Sequence, residues 1–312
     1  MQPIVIITAP VHPYLVETLT HKGFTVNYQP TITAATLYTL LPTATGLVVT
    51  TRIAIDKKMI DNAPTLQWIG RLGSGMELID ATYAQRHNIK CISTPEGNRQ
   101  AVAEHVLGMA LNLLNNITVS HNQITQQQWQ RNPNRGTELY GSTVGIIGYG
   151  NAGSAFAALL QPFAVKVLAY DKYKTGFANN YITEATLPQI QNEASIISLH
   201  VPLTNETKYM CNQLFFAALR QKPLLINACR GEVVNTTALI AALQSNQLSA
   251  AALDVLENEN LESYNTTEKE QLNYLSTQPN VLLTPHIAGY SHQSLLKMAE
   301  VLVKKLEQYW AG

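Results

Sequence analysis

Thr143-Val144-Gly145-Ile146-Ile147-Gly148-Tyr149-Gly150-Asn151-Ala152-Gly153 is the stretch that decides the fold of this chain. A short β-branched run leads into three glycines spaced G-x-G-x-x-G, and Ser154 to Leu160 continues as a helical pattern. The next apolar run, Val165 to Ala169, is followed by Tyr170 and Asp171. Strand, glycine turn, helix, strand and acid form the order in which a parallel α/β sheet holds a dinucleotide. Each glycine has its own physical reason. Gly148 permits the tight turn, Gly150 lets backbone approach the pyrophosphate, and Gly153 lets helix and strand pack closely. Tyr149, Asn151 and Ala152 complete the loop, and the helix N-terminus points its partial positive charge at the phosphates. Asp171 falls where a carboxylate bonds both ribose hydroxyls and repels a 2′-phosphate, so NAD is expected rather than NADP. Lys172, its neighbour, cuts against this choice.

Outward from this core, short apolar runs recur with helical patterns between them. Strands are expected at Ile4–Thr8, Gly46–Thr51, Leu66–Gly70, Lys90–Ser93, Thr143–Gly148, Val165–Ala169, Ser195–His200, Leu224–Asn227, Ala250–Asp254 and Val281–Thr284. Most lack polar alternation, which is how strands buried on both faces of a parallel sheet read. The alternation breaks near the middle. An apolar-periodic helix is expected from about Val102 to Asn116, then a Gln/Asn-rich stretch from Gln126 to Arg135 that reads as a packed or partner-facing loop. The expected architecture is therefore two doubly wound α/β domains. One is a nucleotide-binding domain of the Rossmann type over residues 99–287. The other is a flavodoxin-like substrate domain over residues 1–98 that takes back the last helix, within 288–312.

Bulk composition excludes several classes. Lys+Arg and Asp+Glu both number 21, so there is no basic surplus to bind nucleic acid or an anionic membrane. Cys91, Cys211 and Cys229 are scattered and form no CxxC pair, so neither a disulfide framework nor a metal knuckle is expected. No uncharged apolar run reaches the length of a membrane span, and the N-terminus has no basic start or small-residue cleavage site. A cytoplasmic enzyme is the expectation.

Four further segments follow the fingerprint in fixed order. They are His200-Val201-Pro202-Leu203-Thr204 with Thr207; Asn227-Ala228-Cys229-Arg230-Gly231-Glu232; Ala252-Leu253-Asp254-Val255-Leu256-Glu257-Asn258-Glu259; and Thr284-Pro285-His286-Ile287-Ala288-Gly289. With Gly70-Arg71-Leu72-Gly73-Ser74-Gly75 and Val102-Ala103-Glu104-His105, the chain resembles the D-isomer-specific 2-hydroxyacid dehydrogenases along essentially its whole length. Gly-Arg-x-Gly-x-Gly, Trp129-x-Arg131 and Gly136-Thr137-Glu138-Leu139 look most like the branch that acts on 3-phosphoglycerate. The alternatives within the family are a glyoxylate or hydroxypyruvate reductase. Outside enzymology the alternative is a non-catalytic NAD-sensing protein. The chain stops soon after its last helix, so the C-terminal regulatory domain of some relatives is expected to be absent.

The resemblance implies hydride transfer at C2 of a small 2-hydroxy/2-oxo acid, and the residue types suit that chemistry. Arg230 can meet the carboxylate and carbonyl oxygens with two parallel hydrogen bonds, which a lysine cannot do. His286 can take the hydroxyl proton in oxidation and return it in reduction. Glu259, rather than Glu257, is expected to pair with His286, and a polar insert from Leu261 to Gln278 follows it. By resemblance, Asp254 bonds the nicotinamide carboxamide, Cys229 offers its carbonyl beside the ring, and Thr207 reaches the pyrophosphate. His200, Val201 and Pro202 line the adenosine side, with Ala228 and Gly289 also near the cofactor. A nucleophilic role for Cys229 is rejected, because hydride transfer needs no nucleophile. Gly73, Ser74 and Gly75 form a second anion-binding loop, for the substrate carboxylate. Arg52, Arg71 and Arg131 are candidates for a substrate phosphate, and each reads equally well as a solvated surface arginine. The segment 102–140 is expected to make a homodimer contact, with Arg131 reaching a neighbouring subunit's site.

Overall fold

The computed structural model describes residues 2–311. The chain divides into two compact units, residues 1–99 with 289–312 and residues 100–288. Among the described residues, twelve strands run β1 Ile4–Ile7, β2 Thr25–Tyr28, β3 Ala44–Val49, β4 Trp68–Arg71, β5 Lys90–Ser93, β6 Thr143–Ile147, β7 Lys166–Tyr170, β8 Ile182–Glu184, β9 Ile196–Leu199, β10 Leu224–Asn227, β11 Ala250–Leu253 and β12 Val281–Leu283.

In the second unit the sheet order is β12-β11-β10-β9-β6-β7-β8, every pair parallel. The chain winds out from β6 in one direction and then, from β9, in the other. The crevice outside the carboxyl ends of β6 and β9 is therefore the topological switch point, where such sheets bind ligands. Both faces are covered. Val144, Ile146, Val167 and Ile226 pack under Ala103, Val106 and Met109 of helix Pro95–Leu114 and under Phe156 and Leu160 of helix Asn151–Leu160. Ile147, Leu168, Ile197 and Leu225 face Ile190, Phe215, Phe216, Leu239 and Leu275. This two-sided burial is why these strands are continuous apolar runs rather than alternating ones.

The first unit has the order β2-β1-β3-β4-β5, again parallel. Helices Pro13–His21 and His292–Ala311 bury Leu15, Leu19, Met298, Leu302 and Leu306 against Val5, Ile7, Val48 and Trp68. The opposite face, with Ile6, Leu47, Val49 and Ile69, packs on Leu37, Ile60 and Ala84. Among the described residues no helix is long and apolar enough to cross a membrane.

The structure adds to the sequence reading at three places. β2 and β8 were not anticipated. Both are edge strands, of four and three residues, and an edge strand carries polar residues because one side meets solvent. The helix expected from Val102 to Asn116 runs from Pro95 to Leu114, and a second helix, Ile117–Thr125, follows a break at Asn116, whose φ is +53°. The apolar stripe marked only the part of the first helix that faces the sheet. The polar insert after Glu259 contains helix Thr266–Thr277, the crossover that two parallel neighbours, β11 and β12, require. Leu275 is its one buried residue, which is why its sequence reads as polar. The loop from Gln126 to Arg135 is tied to helix Ile117–Thr125 by Asn134 Nδ2 donating to Gln123 Oε1 at 2.6 Å, but Trp129 is 78% exposed.

Candidate active site

The glycine loop has the geometry its spacing calls for. Gly148 has φ +97°, and a Cβ there would lie 2.4 Å from the His200 carbonyl oxygen. A Cβ at Gly153 would lie 2.0 Å from the Gly148 carbonyl oxygen, so no side chain fits between helix and turn. Around Gly150 a Cβ meets nothing within 4 Å, leaving open approach to the helix N-terminus. The first-turn amides of helix Asn151–Leu160 have no intrahelical acceptor, which suits them to an anion. At the end of β7, the Asp171 carboxylate accepts from the amides of Tyr149 (2.8 Å), Tyr173 (2.9 Å) and Lys174 (3.0 Å), which fix its position. A pyrophosphate with its ribose fits this combination of open amides and oriented carboxylate. The Tyr149 ring stacks on Phe177, 4.2 Å between centroids.

His200 opens the loop that follows β9. It is partly buried, desolvation pushes its pKa down to about 4, and Ser198 Oγ lies 2.8 Å from its Nε2. It is therefore neutral near pH 7. Val201 is half-buried and Pro202 exposed. Thr207 Oγ1 donates to the Pro202 carbonyl at 2.6 Å and accepts from the Thr204 amide, so this hydroxyl shapes its own loop.

The three candidate catalytic residues stand after three adjacent strands. Arg230 follows β10, Glu259 follows β11 and His286 follows β12. Buried Asn227 sets the first turn, its Nδ2 donating to the Arg230 carbonyl and its Oδ1 accepting from the Cys229 amide. Arg230 Nη1 donates to the Cys229 carbonyl. The Cys229 thiol is buried, and desolvation raises its pKa to about 11, so it stays protonated and unreactive. Ala228, beside it, is partly buried. Gly231 lets the β10 and β11 loops meet: a Cβ there would lie 1.8 Å from the Leu256 carbonyl oxygen.

His286 Nδ1 lies 2.9 Å from Glu259 Oε2, and both side chains reach solvent. An ionised carboxylate accepts from Nδ1–H, which leaves Nε2 to exchange a proton. Glu257 serves elsewhere, accepting from the Thr236 amide at the start of helix Thr236–Gln244. The loop carrying Glu259 is pinned by Asn258, which donates to Glu268 Oε1 and whose carbonyl accepts from the Tyr264 hydroxyl. The crossover helix thus holds the acid in place.

His286 has φ +56°, a left-handed conformation that costs a non-glycine residue about 1–2 kcal/mol. Asp254 holds it there. Its backbone carbonyl accepts the His286 amide at 2.7 Å. Its carboxylate, 1% exposed, accepts from Ile287 N, Ala288 N and the Thr284 hydroxyl. Thr284 has one hydroxyl proton. Donating it to Asp254 leaves its oxygen to accept from His105 Nε2–H at 3.0 Å. The sequence marked Asp254 as a cofactor contact by resemblance; its oxygens already shape the His286 turn, with one lone-pair position to spare. His105, Thr284 and Asn227 escaped sequence reasoning as site residues. Their only signal was their place in the quoted motifs.

Gly73, Ser74, Gly75, Arg52, Arg71 and Gly289 belong to the first unit. Gly73 has φ +136°, its amide donates to the buried Thr94 hydroxyl at 2.9 Å, and a Cβ there would collide with the Arg71 guanidinium. Ser74 is exposed and Gly75 half-buried. Arg71 is itself buried and donates to the Leu72 carbonyl. Arg52 donates to the carbonyls of Thr8, Pro30 and Ile32, tying together the loops after β1 and β2. The Gly289 carbonyl accepts from Ser294 Oγ. Arg131, in the second unit, is exposed.

Comparison with known proteins gives the context. Residues 107–288, more than half of the chain, match the family described as D-isomer specific 2-hydroxyacid dehydrogenase, NAD binding domain. A D-3-phosphoglycerate dehydrogenase of Synechocystis is 29% identical over 289 residues, covering 92% of this chain and 50% of that protein. The chain spans about half the length of the phosphoglycerate dehydrogenases it matches. A hydroxypyruvate reductase of Thermotoga maritima is 31% identical over 272 residues, covering 86% of each chain. Among solved structures, D-lactate dehydrogenase from Aquifex aeolicus, complexed with NAD and lactic acid, superposes with a TM-score of 0.85 at 28% identity, covering 99% of this chain and 96% of that one. The chain belongs to the D-isomer-specific 2-hydroxyacid dehydrogenases, and its residues 107–288 are the family's NAD-binding domain.

Proposed function

We propose that this protein is an NAD-dependent dehydrogenase acting at C2 of a small D-2-hydroxy/2-oxo acid, through Arg230, Glu259 and His286. The observation that carries this reading is the 2.9 Å pair between His286 and Glu259, set at adjacent strand ends beside Arg230. Bound NAD would supply the hydride acceptor or donor. Arg230 would hold the carboxylate and polarise the C2 oxygen. His286 Nε2 would hold the hydroxyl proton, and Glu259 would stabilise the imidazolium that forms. Loss of the imidazole should therefore cost turnover and spare the dinucleotide. His286→Ala is expected to lower kcat by about 10²–10⁴-fold, with NADH affinity within about twofold by fluorescence titration. Loss of NADH binding would overturn the assignment.

One reading takes 3-phosphoglycerate as the substrate, with Arg52, Arg71 and Arg131 meeting the phosphate, on the support of the phosphoglycerate-type motifs. A specific observation favours an unphosphorylated acid such as glyoxylate or hydroxypyruvate. The guanidinium groups of Arg52 and Arg71 already donate to backbone carbonyls of their own unit. NADH oxidation with 3-phosphohydroxypyruvate, hydroxypyruvate, glyoxylate and pyruvate separates the two. A preference for the phosphorylated acid that is lost in Arg52→Ala would restore the first reading.

A further inference from the structure

The turn after β7 sends a mixed chemical signal. Asp171 presents one carboxylate, yet Lys172 and Lys174 follow it directly. NADP differs from NAD by a phosphate on the ribose 2′ oxygen, carrying close to two negative charges near neutral pH. A carboxylate at that position rejects the phosphate, and a cation beside it invites it. Two ammonium groups next to Asp171 should therefore blur the choice.

Glu206, from the loop that follows β9, resolves the conflict. Its Oε2 lies 2.5 Å from Lys172 Nζ and accepts from the Tyr173 hydroxyl at 3.2 Å. Lys174 Nζ is turned to the Tyr149 carbonyl, 3.4 Å away. The pairing raises the Lys172 pKa and lowers that of Glu206, chiefly through their shared hydrogen bond, so both stay charged near neutral pH. Asp171, Lys172, Lys174 and Glu206 together carry no formal net charge; without Glu206 they would carry one positive charge. Both partners are more than half exposed, so the pair contributes little to folding. Its consequence lies in what the turn presents to a ligand.

We propose that Glu206 is a specificity residue for NAD over NADP, holding Lys172 away from the 2′ position and adding a second carboxylate beside Asp171. The proposal rests on the dinucleotide site described above. Its test is fluorescence titration of the full chain with NADH and with NADPH, for the wild type, Glu206→Gln and the double variant Glu206→Gln/Lys172→Gln. In Glu206→Gln the ratio Kd(NADPH)/Kd(NADH) is expected to fall about five- to tenfold at low ionic strength, and the fall should shrink in high salt. The double variant is expected to return towards the wild-type ratio, because Lys172 is the group that Glu206 releases. An unchanged ratio in Glu206→Gln overturns the proposal, as does an equal fall in the double variant. A wild-type chain that binds neither nucleotide overturns instead the dinucleotide reading beneath it.

Discussion

At the scale of single residues, this protein sorts its histidines by environment. His286 reaches solvent and is paired with Glu259, while His200, just after β9, is partly buried with its Nε2 against the Ser198 hydroxyl. Burial lowers the folded-state pKa of His200 to about 4, against an unperturbed 6.5. Between these values the unfolded chain binds a proton that the folded chain does not. Stability should therefore fall as pH drops from about 6.5 to 4, by roughly 3 kcal/mol from this group once the drop is complete. Denaturant unfolding across that window, compared with His200→Asn, checks this: the variant should show the shallower decline. An identical slope would mean that His200 is solvated. Sequence pointed to His286 and Arg230 through their motifs, and to Glu259 rather than Glu257 through the family resemblance. Two carboxylates two residues apart cannot be told apart by spacing. Folding separates them, because Glu257 turns to the Thr236 amide and Glu259 to the imidazole.

At the scale of elements, the site depends on how strand ends are finished. The His286 turn is left-handed and survives because Asp254, Thr284 and His105 surround it with hydrogen bonds. Thr284→Val keeps the shape and removes the hydroxyl that links the other two. The expected loss is about 1.5–3 kcal/mol of stability, the range for a hydrogen bond to a charged group, together with a fall in kcat larger than any change in KM. Thr284→Ser should restore both, and a valine variant with wild-type kcat would show that the turn holds without this link. None of this was legible in the sequence, since His105 and Thr284 are 179 residues apart and meet only because helix Pro95–Leu114 packs on the sheet beside β12. The crossover helix teaches the same lesson. Its polar sequence conceals it, but the need to join parallel β11 and β12 makes such a crossover necessary.

At the scale of the whole molecule, the segment 102–140 leaves Ile117, Ile124, Trp129 and Tyr140 exposed, and helix Ile117–Thr125 buries none of its residues. If this segment makes the homodimer contact expected from the sequence, a second copy of the chain would cover these side chains. Sedimentation of the wild type should show a dimer, and Ile124→Glu with Trp129→Ala should shift it towards monomer; a monomeric wild type would remove this reading. The sequence by itself determined the parallel α/β class, the dinucleotide fingerprint and the residue types of the candidate catalytic set, because these depend on local spacing and on two-sided burial. The edge strands β2 and β8, the diversion of Glu257 to the Thr236 amide, and the support of His286 by Asp254, Thr284 and His105 were decided only by the tertiary structure. They depend on which distant backbone and side-chain groups meet, and no local pattern of residues encodes that meeting.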